Sequence, residues 1–300
     1  MRSIAIRGWE GARKDVATTL IVAAICGIAV GILSGLFGIG GGIVVIPLMR
    51  LGFGAEALVT TGTSLFVILP TSLASAIGRA RKAKLNVKLG LCVGIGGMCL
   101  SPVGSWLASY LGGTASMLAA AIVIAYTGIN MIRKALKLPS ADSAATSAVT
   151  AAAPGGTAAA GGMGSEDQMF TDVLAFEMNG KHVAQALGVG AIAGFLSGFI
   201  GVCGGFLIVP MLMWLFGFSF KDATGISTMA LCLIAIPGVI THGILGHIDY
   251  LRGIAIAAGS IPGTFIGTAL LSRIREKPLR IAFGILIFCM AGILAINELV

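Results

Sequence analysis

Between Asp15 and Arg50 the chain carries no charged residue, and that interval constrains the fold more than any other feature. Further uncharged intervals cover 57–78, 89–132, 183–220, 223–248, 253–272 and 281–297. Crossing the hydrocarbon core of a bilayer takes about 20 helical residues. Each interval supplies a crossing, and 89–132 supplies two. Only 11% of residues are charged and mean hydropathy is +1.00, whereas soluble domains carry about a quarter charged residues. So little charge cannot cover a globule with polar surface. The expected fold class is an all-α integral membrane protein. The apolar run from Thr18 follows Arg2, Arg7, Arg13 and Lys14. It reads as a first membrane helix rather than a removed signal peptide, because more apolar sequence follows where a cleavage site should be.

A second feature organises these intervals. The stretch from Gly31 to Pro47, GILSGLFGIGGGIVVIP, matches Gly194 to Pro210, GFLSGFIGVCGGFLIVP, 163 positions later. The same offset pairs Gly54 with Gly217, Thr61-Gly62 with Thr224-Gly225, Ser64 with Ser227, Asn86 with Asp249 and Gly104 with Gly267. Two homologous repeats of about four transmembrane helices each follow, an organisation common in secondary transporters. The expected domains are a first membrane repeat at 18–137, a cytoplasmic linker at 138–181 rich in Ala, Ser, Thr and Gly, and a second membrane repeat at 182–297.

Lys and Arg set the orientation. The N-terminus, the segment Arg79–Lys88 and the group Arg133, Lys134 and Lys137 are all basic. Placing all three in the cytoplasm requires four crossings per half, at about 18–50, 57–78, 89–111 and 114–132, then 183–216, 223–243, 253–272 and 279–297. This arrangement leaves Arg273, Arg275, Lys277 and Arg280 outside, a conflict that an odd number of crossings in one half would remove. An odd number would also make the repeats inverted.

The first interval is too long for one straight helix. From 16 to 49 a helix reaches about 51 Å against a core of about 30 Å. Gly38, Gly40, Gly41 and Gly42 sit in its middle with Pro47 beyond. Gly costs about 1 kcal/mol per helical residue and Pro about 3, so the first helix of each repeat should be broken at this glycine-rich loop. Unwound backbone inside a membrane must be buried in protein or line a cavity. Bare glycine N–H groups at the start of the following half-helix favour an anion. Gly201, Cys203, Gly204 and Gly205 with Pro210 repeat the pattern, so these eight residues are candidate substrate ligands. Close helix packing by small residues is the competing account. Ser64 and Ser227 join the candidates because both halves carry them, with local back-bonding as their alternative. The loops themselves contain no cation, so backbone must supply most of the positive potential.

His242 and His247 are proton-coupling candidates near a span end, against a plain interfacial role. Their matches in the first half are Arg79 and Lys84. The six cysteines lie in apolar runs and form no CxxC, so no metal site is expected, and no cofactor. The net charge of +8 sits at the ends of apolar runs, which argues for topology signals and against nucleic-acid binding. No HExxH, GxSxG or GxxxxGK[ST] occurs, so neither an intramembrane enzyme nor an ATP-driven pump is expected.

Taken as a set, Gly31-x-x-Ser-Gly-x-x-Gly-x-Gly-Gly-Gly-x-x-x-x-Pro47, the Thr-Gly-x-Ser block, the basic loop after the second span and Gly246-His-Ile-Asp249 resemble the TauE/SafE (TSUP) family of sulfite and organosulfur anion exporters. The resemblance covers both halves but not the linker. Cys203 departs from it, standing where the first half has Gly40. It implies a multi-pass carrier in the bacterial inner (plasma) membrane, with a small sulfur-containing or carboxylated organic anion and the lipid bilayer as its partners. An uncoupled anion channel and a non-transporting accessory subunit are the alternatives.

Overall fold

The computed structural model describes residues 2–80, 87–111, 113–136, 180–201, 204–271 and 273–299. Among these, every regular element is helical. In chain order they are α1 (Arg2–Phe37), α2 (Gly42–Pro47, continued by a π-helical turn, Leu48–Gly52), α3 (Ala57–Ala80), α4 (Val87–Leu111) and α5 (Gly113–Leu136). Then follow α6 (Gly180–Ile200), α7 (Gly205–Leu215), α8 (Phe220–Ile244), α9 (Tyr250–Leu271) and α10 (Glu276–Leu299). Six segments are long and apolar enough to cross a membrane: Thr19–Phe37 of α1, and α3, α4, α6, α8 and α9. Helices α5 and α10, each 24 residues, occupy the other two expected spans. The linker expected at 138–181 lies outside the described residues except at its last two positions.

Helix ends follow local chemistry. The Ser219 hydroxyl accepts from the Asp222 N–H at 3.2 Å and caps α8. The Asp249 carboxylate accepts from the Arg252 N–H at 3.1 Å to cap α9, and pairs with the Arg252 side chain at 3.3 Å.

The longest packed faces join the two halves of the sequence. Gly27, Gly31 and Gly35 of α1 lie against Ile256, Ser260 and Thr264 of α9, so close that a Cβ would collide with their carbonyl oxygens. Gly190, Gly194 and Gly198 of α6 meet Val93, Gly97 and Ser101 of α4 in the same way. Both series ascend together, so α1 runs parallel to α9 and α6 parallel to α4. Ridges of backbone on backbone are what small residues at four-residue spacing permit.

These contacts fix direction throughout. Gly253 packs on Thr63 and Phe66, and Gly78 on Phe265 and Thr268, so α3 is parallel to α9. Gly90 meets Met229 and Gly94 meets Leu233, so α4 is parallel to α8. Arg79 reaches Thr224, Ser72 reaches Cys232 and Gly62 reaches His242, so α3 and α8 are antiparallel. Helices α1, α3 and α9 therefore point one way and α4, α6 and α8 the other. Elements matched by the 163-residue offset run in opposite directions.

The reason lies at the glycines. The helix is interrupted there as expected, but the chain does not continue across. It turns back. Gly38, Gly40 and Gly41 adopt φ of 66°, 68° and 81°, a region open to glycine at little cost. The Gly41 backbone then lies beside Val30 and Ser34, and Val45 and Met49 share a buried cluster with Val30 and Ala23. Segment α7 returns along α6 likewise: Gly204 abuts Ala193, and the Phe216 ring ends 6.0 Å from His182 near the start of α6.

This reversal corrects the expected sidedness. The N-terminal start of α1 and the Arg79 end of α3 lie at opposite ends of the bundle, so the three basic segments do not share one face. The face with Arg79 instead gathers Lys88, Arg133, Lys181, Lys221, Arg273, Arg275, Lys277 and Arg280. The opposite face holds Arg50 and Arg252 with the N-terminal basic residues. The conflict over 273–280 disappears.

Candidate functional site

The two reversals meet inside the protein. A Cβ on Gly205 would stand 3.0 Å from the Ile39 Cα and 3.3 Å from the Gly38 carbonyl oxygen. Through this contact the loop with Gly38, Gly40, Gly41 and Gly42 meets the loop with Gly201, Gly204 and Gly205, at the starts of α2 and α7. Cys203 lies outside the described residues. The cluster is closed: every residue from Ser34 to Ile43 is buried, as are Gly201 and Gly204 to Phe206.

Contacts around the cluster are reciprocal. The Ser64 hydroxyl donates to the Gly201 carbonyl, and the Ser227 hydroxyl to the Gly38 carbonyl at 3.1 Å. The Gly201 backbone presses on Thr61, and the Gly38 backbone on Thr224. Thr71 adds a bond to the Gly40 carbonyl at 3.0 Å. In each case a hydroxyl from one half holds the loop of the other, or holds its own loop from behind. Ser227 gives its hydrogen to a loop carbonyl, whereas the single Ser64 hydrogen is shared between the Gly201 carbonyl and the Thr61 carbonyl of its own helix at 2.8 Å, so both side chains border the loops and Ser64 also back-bonds. With the carbonyls turned toward hydroxyls, the N–H groups of Ile39, Gly40, Gly41, Gly42 and Ile43 have no backbone acceptor among the described residues. That is a donor-rich, carbonyl-poor surface at the head of a helix.

One buried cation escaped the sequence reading. Arg79, in the last turn of α3, reads from sequence as the first residue of a basic loop. It is 6% exposed. Its Nη2 donates to the Gly35 carbonyl at 2.6 Å, its Nη1 to the Thr224 hydroxyl at 2.8 Å and its Nε to the Ser75 hydroxyl at 3.3 Å. Thr224 is the residue against which Gly38 packs, so a guanidinium stands at the edge of the first loop. The loops themselves contain no cation, but a cationic side chain from α3 borders the first of them. The signal was available in the pairing of Arg79 with His242 at the repeat offset.

His242 is fully buried, and its ring lies 5.8 Å from that of His247. Neither ring nitrogen of His242 has a hydrogen-bond partner among the described residues. The pair sits against Gly62 of α3, toward the opposite end of the bundle from Arg79. A separate cavity of about 710 Å³ lies between α5, α6 and α7, lined by Tyr126, Met131, Ile192, Met211 and Trp214 with Arg280 at its edge, and excludes the glycine cluster.

The family model described as "Sulfite exporter TauE/SafE" matches residues 23–294. The chain belongs to the TauE/SafE family. Its relatives include the probable membrane transporter protein YunE of Bacillus subtilis, 26% identical over 267 residues, covering 86% of this chain and 91% of the relative. The probable membrane transporter protein MJ0441 of Methanocaldococcus jannaschii is 28% identical over 271 residues, covering 86% and 88%. A probable membrane transporter protein of Xylella fastidiosa is 25% identical over 276 residues, covering 91% and 94%. No solved structure gives a significant match. The family span includes both glycine loops and all the helices that hold them. This TauE/SafE chain is a multi-pass protein of a membrane-transporter family.

Proposed function

We propose that the chain is a secondary transporter, working as an exporter, for small sulfur-containing or carboxylated organic anions across a bacterial plasma membrane. The observation that carries this reading is the meeting of the two glycine loops at Gly38–Ile39 and Gly205. Two half-helices begin there with their N-terminal ends together, each bringing partial positive charge, and the first also has N–H groups without a backbone acceptor among the described residues. The substrate's anionic group would sit against Gly38, Gly40, Gly41 and Gly42 on one side and Gly201, Cys203, Gly204 and Gly205 on the other. The family name supports the sulfur-anion class. Burial of the whole cluster favours alternating access over an open channel, since an uncoupled pore needs a continuous wet path.

The opposite directions of matched helices support a reading as inverted repeats, the architecture in which one half can take the other's conformation to expose the site on the second face. The excess of Lys and Arg on the Arg79 face supports a reading in which that face is cytoplasmic. His242 and His247 are proposed as the proton-coupling pair. Gly62 of α3 faces them without charge, and the nearest carboxylate in their loop, Asp249, is engaged by Arg252.

The test is flux in proteoliposomes loaded with sulfite, sulfoacetate, thiosulfate or small carboxylates. Saturable flux of at least one, absent from empty liposomes and driven by a pH gradient, is expected. If no anion moves under any gradient, the transporter reading fails and an accessory role takes its place.

A further inference from the structure

We infer that Arg79 is the side chain that holds the charge of the transported anion at the cytoplasmic edge of the first glycine loop. The inference rests on the anion-transporter reading above and names the residue that reading lacks.

The case starts from cost. A charge taken out of water must be balanced by a partner. No Asp or Glu lies within ion-pair distance of Arg79 among the described residues, and the neighbouring segment 81–86 contains no acid. Its three partners, a carbonyl and two hydroxyls, are neutral. No other Lys or Arg among the described residues is as deeply buried. The guanidinium is therefore hydrogen-bonded but not neutralised.

A capping role accounts for part of this. Gly35 is in the last turn of α1, where free carbonyls and the helix dipole favour a cation. Capping, however, needs one donor. A guanidinium has five N–H groups in a rigid fork, and the three contacts leave two without a partner among the described residues. Through Thr224 the fork is tied to the residue that backs Gly38. Two N–H groups in one plane, beside a loop whose N–H groups have no backbone acceptor among the described residues, match the two oxygens of a sulfonate, sulfite or carboxylate. Lysine has no such fork. At the matched position in the other half stands His242, which carries no charge unless protonated. The protein thus offers an oxyanion a permanent cation at one end of its path and a conditional one at the other.

The experiment uses the full chain, purified and reconstituted, in Arg79→Gln, Arg79→Lys and Arg79→His forms. Two readouts are taken: initial flux, and thermal stabilisation of the detergent-solubilised protein by sulfite or thiosulfate. A charge-assisted oxyanion contact is worth about ten- to a hundredfold in affinity. Gln should lose at least tenfold in flux, with a raised KM and no anion-induced stabilisation. Lys should retain part of both. His should recover activity relative to the wild type at about pH 5 and lose it by about pH 8. The charged and titratable groups facing this region are Lys221 and Asp222 of α8 and Glu276 of α10, with His242 at the far end of α8. The His profile is therefore repeated in an Arg79→His, Asp222→Asn double variant; a pH response that persists there belongs to the imidazole, and one that vanishes with Asp222 overturns the inference. A purely capping arginine would be served by Gln, which also donates to a carbonyl, and its His variant would follow the wild type at every pH. Flux and stabilisation of Arg79→Gln within twofold of the wild type overturn the inference while leaving the transporter reading intact. Absence of both flux and stabilisation in the wild type overturns both. Should Arg79→Gln fail to fold, the pH response of Arg79→His decides.

Discussion

The ends of α3 and α8 occupy matching places in the two halves, yet they are finished differently. Arg79 closes α3 with three hydrogen bonds and a permanent charge. His242 closes α8 with a buried ring whose nitrogens are unpartnered among the described residues, facing a second imidazole. The scaffold around them is reciprocal, down to Ser64 on Gly201 and Ser227 on Gly38. In the proposed inverted-repeat reading, each half would adopt the other's pose, and the unlike end groups would make the two poses bind an anion or a proton unequally.

The sharpest way to break the comparison is sidedness, which is all or none. In a cysteine-free background, Lys82→Cys and Ala160→Cys should label only from the cytoplasmic face and Ser3→Cys only from the outside. Labelling of all three from one side would make matched helices parallel and end the inverted reading. Next in size is the loop pair. Gly41→Val and Gly204→Val should each abolish flux, by about a hundredfold or more, with protein still in the membrane. The two fail for different reasons. Gly41 has φ of 81° and abuts Val30, whereas Gly204, at φ −52°, is pressed against the Ala193 backbone. Gly52→Val is the mild control, because its Cβ would meet only Leu48 at 3.5 Å.

A smaller effect tests the conditional end. A protonated His242 attracts an anion and a neutral one does not, so wild-type flux should fall as pH rises through the His242 titration, and His242→Gln should flatten that slope. An unchanged slope returns His242 to a structural role. The smallest effect compares the hydroxyls that border the loops. Ser64→Ala and Ser227→Ala each remove one buried bond worth about 1 kcal/mol, so each should slow flux by roughly two- to tenfold, and by similar factors. A difference much beyond that range would show that one loop carries the chemistry alone.

Much of the fold was legible in the sequence. Uncharged intervals bounded by Arg and Lys give the crossings, because length and charge alone decide what a bilayer accepts. The repeat gave the pairing of loops, since glycine and serine in register over so long a stretch reflect geometry rather than hydropathy. The reversal after Gly38 was not legible. An uncharged run from 16 to 49 looks the same whether it crosses once with a break or crosses and half returns, and only left-handed φ at three glycines separates the two. Arg79 was hidden for a related reason. It begins a run of basic residues, and a sequence does not say which of several neighbouring cations turns inward.

The glycine-backed seams have a consequence for how the protein is made. Helix α1 leaves the ribosome long before α9, and α4 before α6, yet each is shaped for a partner still unsynthesised. In the interval the bare backbone ridge of α1, with Gly27, Gly31 and Gly35, faces lipid or the insertion machinery. Neither half of the chain is then a self-sufficient folding unit, for each must lend its outermost helix to the other before either can close.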